Sequence, residues 1–425
     1  MTTHPLQRLA PSTSSARPAG IYSVCSAHPM VLEAAVQQAL EDKTVLLVEA
    51  TSNQVNQLGG YTGMRPADFR AFVEEIAHRH GLPEHDLILG GDHLGPNPWQ
   101  HLPAEEAMRN AEEMVAEYSC AGFVKIHLDA SMACAGERAP LPDLVVAERA
   151  ARLCKAAEES SQGEPRFYVI GTEVPVPGGA TESLAGLSVT TQDAARQTLR
   201  IHEAAFIAAG LQSVWPRVIA LVVQPGVEFN HDTVVDYVSE KTTSLRQLLE
   251  QSKGLVFEAH STDYQVPEAY SSLVRDGFAI LKVGPALTFA MREALFALVE
   301  VEEELVPVEK RSCLPQILEE VMLTQPGYWE KHYEGTPQQQ RVLRRSSYSD
   351  RVRYYWTDPR VRFAVETLMR NLNDVEIPET LLSSAMPQQY RAVRSRRLQR
   401  RPHALVLDRI REALRPYAAA CCGGG

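Results

Sequence analysis

Polar residues that could take part in catalysis recur along the chain, each at the end of a short apolar run. Asp92 and His93 end the run LILGGDHLG, and His260 ends the run LVFEAHSTD. A histidine can bind a divalent metal, and an aspartate beside it can move a proton. The positions of this kind are Ser26, His28, Glu49, Asp92, His93, Asp129, Glu173, Gln224, Glu258, His260 and Lys282.

Two further carboxylates could complete a metal site. Asp129 lies in KIHLDAS and Glu173 in GTEVPVPGG. Imidazoles combined with carboxylates are typical ligands of catalytic zinc, and manganese, magnesium or nickel are alternatives. The predicted metal ligands are His93, Glu173 and His260. The predicted catalytic groups are Asp92, Asp129 and Glu173. As an alternative, each carboxylate could cap a loop amide and each histidine could be hydrogen-bonded within a rim.

The apolar runs themselves are typical of strands buried on both faces. They are rich in Val, Ile, Leu and Phe, and helical stretches separate them. This alternation predicts an α/β fold, a closed (β/α)8 TIM barrel, whose active site lies at the carboxyl ends of the strands. The predicted strand segments are 21–28, 45–51, 87–95, 123–131, 167–174, 217–226, 255–263 and 279–287.

Phosphate in such barrels often lies on the loops after the last two strands. Lys282 would supply positive charge there, and Gly284 a backbone amide at the start of a helix. A Schiff-base role for Lys282 is an alternative. The segment SSYSDRVRYYWTDPR contains Arg353 and indicates either aromatic packing or a patch that binds phosphate or a partner. The predicted substrate and phosphate contacts are Ser26, Gln224, Lys282, Gly284 and Arg353.

The length of the chain fits one barrel with an addition. A typical barrel takes about 250 residues, and the chain has 425 residues, of which 44% are hydrophobic. We predict a flexible leader over 1–19, the barrel over 20–306, a helical extension packed on it over 307–420 and a flexible tail over 421–425.

Composition excludes several classes of protein. The net charge of −11 argues against a general nucleic-acid surface. No apolar run reaches the roughly 18 residues of a membrane span, and the N-terminus lacks the apolar segment of a secretory signal. Seven scattered cysteines without CxxC pairs are typical of a cytoplasmic protein. Neither a GxxxxGK[ST] loop nor a GxGxxG after a strand is present, which argues against P-loop kinases and NAD-linked chemistry.

Nine long segments resemble the Z subunit of class II D-tagatose-1,6-bisphosphate aldolase, the GatZ/KbaZ family. They span about Gly20 to about Tyr417 and are SVCSAHPMVLEAA, VEATSNQVNQLGGYTGMRPADF, GGDHLGPNPWQ, KIHLDASMACAG, IGTEVPVPGG, VVQPGVEF, FEAHSTDYQ, LKVGPALTFAMREALF and YSDRVRYYW. The resemblance implies a non-catalytic subunit of galactitol and N-acetylgalactosamine catabolism that supports the activity and stability of a catalytic Y subunit. An older name for the family, tagatose-6-phosphate kinase, has no support in the sequence.

Relatives in the same family imply an alternative function. They are metal-dependent 4-epimerases that interconvert D-tagatose 6-phosphate and D-fructose 6-phosphate. Asp92 and His93 also resemble the Asp-His pair of class II aldolases, in which the histidine binds zinc and the aspartate moves protons. Gln224 departs from that pattern, because the aldolases have a further histidine there. The expected partners are a phosphorylated ketohexose, a Y-type subunit and a second copy of the chain, with no nucleic acid and no membrane.

Overall fold

Eight parallel strands close into a barrel, as predicted. The computed structural model describes residues 4–10, 19–161, 163, 165–172 and 184–422. The strands are β1 (Ile21–Val24), β2 (Leu46–Thr51), β3 (Leu87–Leu94), β4 (Lys125–Leu128), β5 (Phe167–Ile170), β6 (Val218–Val222), β7 (Glu228–Phe229), β8 (Val234–Val235), β9 (Val256–Ala259) and β10 (Phe278–Val283). The order around the barrel is β1-β10-β9-β6-β5-β4-β3-β2, while β7 and β8 form a separate antiparallel pair.

Helices alternate with the barrel strands and then continue beyond them. The helices of the barrel are α1 (Pro29–Asp42), α2 (Pro66–His80), α3 (Ala104–Cys120), α4 (Asp143–Glu159), α5 (Gln192–Ala208), α6 (Thr243–Gln251), α7 (Pro267–Arg275) and α8 (Pro285–Leu305). The C-terminal helices are α9 (Leu314–Thr324), α10 (Pro337–Ser346), α11 (Pro359–Asn373), α12 (Glu379–Ala385), α13 (Pro387–Arg394) and α14 (Pro402–Cys421). None of the described helices has the length and apolar character needed to cross a bilayer.

Apolar periodicity explains how a helix such as α3 covers the barrel. Its buried residues recur at helical spacing and form one stripe, while Glu105 and Glu106 in the first turn complement the positive end of the helix dipole. The buried stripe consists of Ala107, Met108, Ala111, Met114, Val115 and Tyr118.

The inside of the barrel changes from apolar to charged along its axis. Side chains two residues apart in a strand point to the same face. Leu47 and Ile280 therefore lie in the lower interior, and Glu49 and Lys282 lie one layer above them. The lower layer holds Leu47, Ile88, Phe167, Val169, Ile219, Val256 and Ile280. The charged layer is thus carried at the end of the barrel where the strands terminate.

The N-terminal segment closes the lower end of the barrel. Residues Pro5–Arg8 form one helical turn, and Leu6 and Leu9 are buried in the lower apolar layer. The ring of His4 lies 4.8 Å from that of Phe167. Within the expected leader, these two leucines lie three positions apart, share one face of the turn and fill the open end. Residues 11–18 lie outside the described part of the chain.

The predicted helical extension is packed against the beginning and the end of the barrel. Helix α14 lies against α1, α7 and α8, and α11 lies against α8 and α9. Within α14, the ring of Tyr417 lies 4.1 Å from that of Tyr270 in α7. The helix continues to Cys421, which is buried, so the first residue of the expected flexible tail is helical.

Gly95 marks a point where two backbones meet just beyond β3. A Cβ atom at this position would lie 1.6 Å from the carbonyl oxygen of Asp129. Only glycine fits there without a shift of one backbone. The close approach sets Asp129 against the end of β3.

We predict that Gly95→Ala lowers the free energy of unfolding by about 1–3 kcal/mol or more. Overpacking of a well-packed site usually costs that much. The reason is that a backbone has to move, rather than a flexible side chain. The measurement is the midpoint of thermal or urea unfolding. Gly327→Ala is the control, because nothing lies within 4 Å of a Cβ there. Equal midpoints for both variants would contradict the prediction.

Candidate active site

Two buried lysines and two glutamates fill the upper interior of the barrel. Lys125 Nζ lies 2.8 Å from Glu49 Oε1 and 2.7 Å from Glu258 Oε2. Lys282 Nζ lies 2.8 Å from Glu49 Oε2. These side chains come from four different strands and are nearly inaccessible to solvent. A buried charge is tolerated only when it is paired in this way.

Asp92 joins this network to the space above it. Its Oδ1 lies 2.9 Å from Lys282 Nζ and 3.0 Å from His127 Nδ1. Its Oδ2 lies 3.6 Å from the Cys25 thiol. Burial acts to raise the pKa of Asp92, but the charges of His93 and Lys282 outweigh it and hold the pKa well below its usual value. Asp92 is therefore ionised at neutral pH.

A bulge in β3 turns two consecutive side chains towards the site. The pairing of β3 with β4 shifts between Gly91 and Leu94. His93 has the left-handed φ of 49°, and its backbone N–H lies 3.2 Å from His127 Nδ1. Bulges re-aim side chains in this way, and strained backbone of this kind is concentrated at functional sites.

Three imidazoles meet beside Asp92. The ring centres of His93 and His260 are 4.8 Å apart, and each lies 5.1 Å from that of His127. Potential ligand atoms of Asp92, His127, Glu258 and His260 all lie within 4.8 Å of one another. This set combines two nitrogen and two oxygen donors, which suits zinc and related divalent metals.

The protonation of these groups fits a cation. Burial lowers the pKa of His260 to about 4, against the pull of the Glu258 carboxylate, so the imidazole is neutral at neutral pH. His127 Nε2 is buried and has no hydrogen-bond partner among the described residues. His127 Nδ1 can either accept the N–H of His93 at 3.2 Å or donate to Asp92 Oδ1 at 3.0 Å, and in the second tautomer Nε2 presents a lone pair. The side chains present therefore fit a divalent metal.

His93 is oriented by a second carboxylate. Its Nδ1 lies 2.8 Å from Asp129 Oδ2, and the Ser131 hydroxyl donates to Asp129 Oδ1 at 2.6 Å. Burial acts to raise the pKa of Asp129, but these hydrogen bonds and the His93 charge lower it. A carboxylate that holds one imidazole nitrogen is the usual outer partner of a metal-binding histidine. Nε2 of His93 lies 3.8 Å from Asp92 Oδ2.

A cavity of about 590 Å³ opens above this cluster. Strand ends and their loops supply one side, namely Cys25, Ser26, His28, Asp92, His93, His260, Ser261, Lys282 and Gly284. The extension supplies another side, namely Arg353, Tyr354, Trp356, Thr357, Arg362, Val365 and Glu366. The volume is in the range of small-molecule sites, and the C-terminal helices contribute directly to it.

Of the residues expected to bind metal or to catalyse, the structure brings together Asp92, His93, Asp129 and His260. Glu173 lies outside the described residues, so its role stays a prediction. Ser26 is buried, lines the cavity and receives the backbone N–H of His28 at 3.3 Å.

Two expected phosphate contacts are already occupied by carboxylates. Lys282 is paired with Glu49 and Asp92, so its charge is neutralised within the protein. The backbone N–H groups of Gly284 and Ala286 donate to Asp263 Oδ1 at 3.0 and 2.9 Å. Asp263 thus occupies the helix N-terminus that the phosphate was expected to use. Lys282 and Gly284 nevertheless line the cavity, so their contact with a phosphate stays a prediction.

Of the other two residues expected to contact the substrate, Arg353 lines the cavity and Gln224 does not. Gln224 Oε1 accepts hydrogen bonds from the backbone of Gly226 and Val227, so its side chain closes its own loop, and it is not among the residues that line the cavity. Arg353 does line the cavity and donates to the Tyr354 hydroxyl at 2.9 Å.

Sequence reasoning missed His127 and Lys125. Both lie within β4 rather than at its end, where the predicted polar residues were sought. The signal was their period-two spacing in KIHLD, since residues 125, 127 and 129 share one face of a strand. Glu258 was noted only as a strand-end residue, although it has the same spacing relative to His260.

We predict that the protein binds one divalent ion and that His127→Ala weakens zinc binding by at least about 10- to 100-fold. Loss of even an outer partner of a ligand usually costs that much. The measurement is titration of metal-free protein against a competing chelator. His202→Ala is the matched control, because His202 is another buried histidine whose Nε2 has no partner among the described residues. Equal affinities in the two variants would contradict the assignment.

Comparisons with known proteins agree over nearly the whole chain. A family model described as D-tagatose-1,6-bisphosphate aldolase subunit GatZ/KbaZ-like matches residues 6–422. A crystal structure of a probable tagatose 6 phosphate kinase from Sinorhizobium meliloti 1021 is 49% identical, with a TM-score of 0.88, and the match covers 95% of this chain and 100% of that chain.

Two more distant structures have TM-scores below 0.5. The YdjI aldolase from Escherichia coli K12 has 13% identity and a TM-score of 0.42, over 68% of this chain and 83% of that one. The fructuronate-tagaturonate epimerase UxaE from Cohnella laeviribosi has 12% identity and a TM-score of 0.49, over 97% of this chain and 84% of that one. The match over residues 6–422 is decisive, and the chain belongs to the GatZ/KbaZ-like family of D-tagatose-1,6-bisphosphate aldolase subunits.

Proposed function

We propose that this chain is a metal-dependent 4-epimerase that interconverts D-tagatose 6-phosphate and D-fructose 6-phosphate. One observation carries the proposal, namely that the potential ligand atoms of Asp92, His127, Glu258 and His260 lie together beside a cavity of about 590 Å³. Family membership supports chemistry related to tagatose-bisphosphate aldolase. An epimerase of this kind uses the same bond cleavage and retains both fragments.

The chemistry of the substrate favours cleavage of a carbon–carbon bond. The hydrogen on C4 of a 2-ketose is not alpha to the carbonyl, so simple deprotonation cannot invert that carbon. Transient oxidation at C4 is one route, and retro-aldol cleavage of C3–C4 followed by addition to the other aldehyde face is the alternative. Because the sequence has no dinucleotide fingerprint, we favour the second route.

In this proposal His127, Glu258 and His260 would hold the ion, and the expected ligand His93 lies beside them. A bound divalent cation would supply the positive charge that stabilises an enediolate. Asp92 takes the proton from the C4 hydroxyl. Its Oδ1 is tied to Lys282 and His127, which leaves Oδ2 for the proton.

Arg353 is the best candidate for the phosphate. Its hydrogen bonds go to neutral groups, the carbonyl oxygens of Ser349 and Asp350 and the hydroxyl of Tyr354. Its charge is therefore left for an anion, in contrast to that of Lys282. Planar guanidinium groups suit phosphate because they donate in pairs.

We predict that metal-loaded protein alone converts fructose 6-phosphate to tagatose 6-phosphate. Chelation or His260→Ala should abolish conversion, and Asp92→Asn should slow it by about 10²–10⁴-fold, the usual contribution of one acid–base group. The measurement is chromatographic separation of the two ketoses, with His202→Ala as the control. In deuterated water, no deuterium should appear at C4. Deuterium at C4 would exclude the cleavage route, and inactivity with every divalent metal would exclude the epimerase.

The family description names an aldolase subunit and so favours a second candidate function, that of an accessory subunit. We place this role in galactitol and N-acetylgalactosamine catabolism. In that case this chain binds a catalytic Y-type aldolase and supports its activity and stability. Such a role requires an interface and not the metal site. The two functions can therefore be separated by variants of the site.

For the accessory role we predict that adding this chain raises the thermal stability and specific activity of a Y-type aldolase. His93→Ala should leave this support intact, because His93 is only 3% exposed and offers almost no surface to a partner. The measurements are the melting temperature and the cleavage rate of the mixture. Loss of support in a folded His93→Ala variant would connect the helper role to the metal site.

A further inference from the structure

Tyr354 has an environment that differs from that of the other phenols. It belongs to the short helix Arg351–Tyr355, which the extension places against the cavity. Asp350, directly before this helix, accepts a hydrogen bond from Thr288 at 2.6 Å and pairs with Arg292 at 3.2 Å. Since Thr288 and Arg292 belong to α8, the helix is fixed to the barrel.

Two guanidinium groups flank the Tyr354 ring. The Cζ atoms of Arg353 and Arg351 lie 4.5 and 5.3 Å from its centre. The ring of Tyr328 stacks on it at 4.8 Å, and that of Tyr61 meets it edge-on at 4.9 Å. Burial acts to raise the pKa of Tyr354, but Arg353 and Arg351 outweigh it and lower the pKa below its usual value.

The direction of the hydrogen bond leaves the phenolic proton free for another acceptor. Arg353 Nη2 donates to the Tyr354 oxygen at 2.9 Å, and a guanidinium has no acceptor with which to receive the proton in return. Tyr354 lines the same cavity as Asp92 and His260. Its hydroxyl can therefore donate into the cavity, and the phenolate would be stabilised by the same arginine.

Epimerisation by cleavage needs proton transfer on two sides of the substrate. A base removes the proton from O4, the C3–C4 bond breaks, and its electron pair forms the enediolate while C4 becomes an aldehyde. The aldehyde rotates so that its other face meets the enediolate. The same electron pair then forms the C3–C4 bond to that face, and O4 receives a proton from the other side. No oxidant or further reactant is consumed, and solvent resets the two groups.

We propose that Tyr354 is the second proton-transfer residue, which serves O4 of one epimer while Asp92 serves O4 of the other. This inference rests on the proposed epimerase function. The two groups belong to different parts of the fold, one to a strand end of the barrel and one to the extension.

Other groups near the cavity are less suitable. Burial raises the pKa of Tyr61, and burial likewise raises that of the Cys25 thiol well above its usual value. Asp129 is already engaged by His93 and Ser131. Among these groups, Tyr354 alone combines access to the cavity with a cationic partner on its oxygen.

The test uses Tyr354→Phe in the metal-loaded full chain. Interconversion should fall by about 10²–10⁴-fold in kcat with little change in KM, because only a proton-transfer group is lost. Acid-quenched single turnovers should still yield glyceraldehyde 3-phosphate from one of the two ketose 6-phosphates but not from the other. Asp92→Asn should show the opposite preference. Tyr328→Phe is the matched control, since Tyr328 belongs to the same aromatic stack and is not among the residues that line the cavity.

Each result decides between the alternatives. Equal loss of cleavage for both epimers in Tyr354→Phe would assign a structural role and overturn the inference. Interconversion within about threefold of wild type would overturn it as well, while leaving the proposed function intact. A wild-type protein that is inactive with both epimers would overturn the proposed function and this inference together. Opposite preferences of the two variants would support both.

Discussion

The pairing of two buried lysines with carboxylates is the interaction on which the upper half of the barrel depends. Lys125 and Lys282 lie between Glu49, Glu258 and Asp92, at distances of 2.7–2.9 Å. Each buried ion costs several kcal/mol of desolvation, roughly, and loss of one partner from such a pair typically costs about 3–5 kcal/mol. Loss of any one of the five side chains would therefore leave a buried charge without its partner. The five come from five different strands.

The backbone around this network is adapted to it. A Cβ atom at Gly90 would lie 2.9 Å from Glu49 Cγ, so the glycine lets Glu49 pass over β3 to reach Lys125 on β4. One layer higher, the bulge at Asp92 and His93 sends two neighbouring side chains to the same region. The left-handed backbone of His93 stores strain there, which the paired charges and the packed helices around them can hold in place.

The sequence was sufficient for the barrel and for part of the site. Parallel strands buried on both faces are nearly continuous apolar runs, so all eight could be located, and the polar residues at their ends included Asp92, His93 and His260. His127 was missed because it lies inside β4 rather than at its end, although it shares one face of the strand with Asp129. The sequence also contained no sign that Asp263, from the loop after another strand, accepts the N–H of Gly284 at the helix N-terminus. Such long-range contacts are set by tertiary packing, which local pattern does not contain.

The free energy of burying charged side chains distinguishes the two candidate functions. Replacement of a buried ion network by apolar residues of similar volume is often neutral or stabilising, by about 1–4 kcal/mol. A barrel that served only as a scaffold could continue the apolar layer of Leu47 and Ile280 upwards and gain stability. This chain instead buries four carboxylates against Lys125, Lys282 and His93, namely those of Glu49, Asp92, Asp129 and Glu258. Burial acts to lower the pKa of His93, but Asp92 and Asp129 outweigh it and raise the pKa. Even with His93 protonated, one negative charge is in excess. An excess of that sign is destabilising in isolation and favourable only with a cation. The charge layer is thus better explained by metal-dependent chemistry in the cavity than by support of another subunit alone.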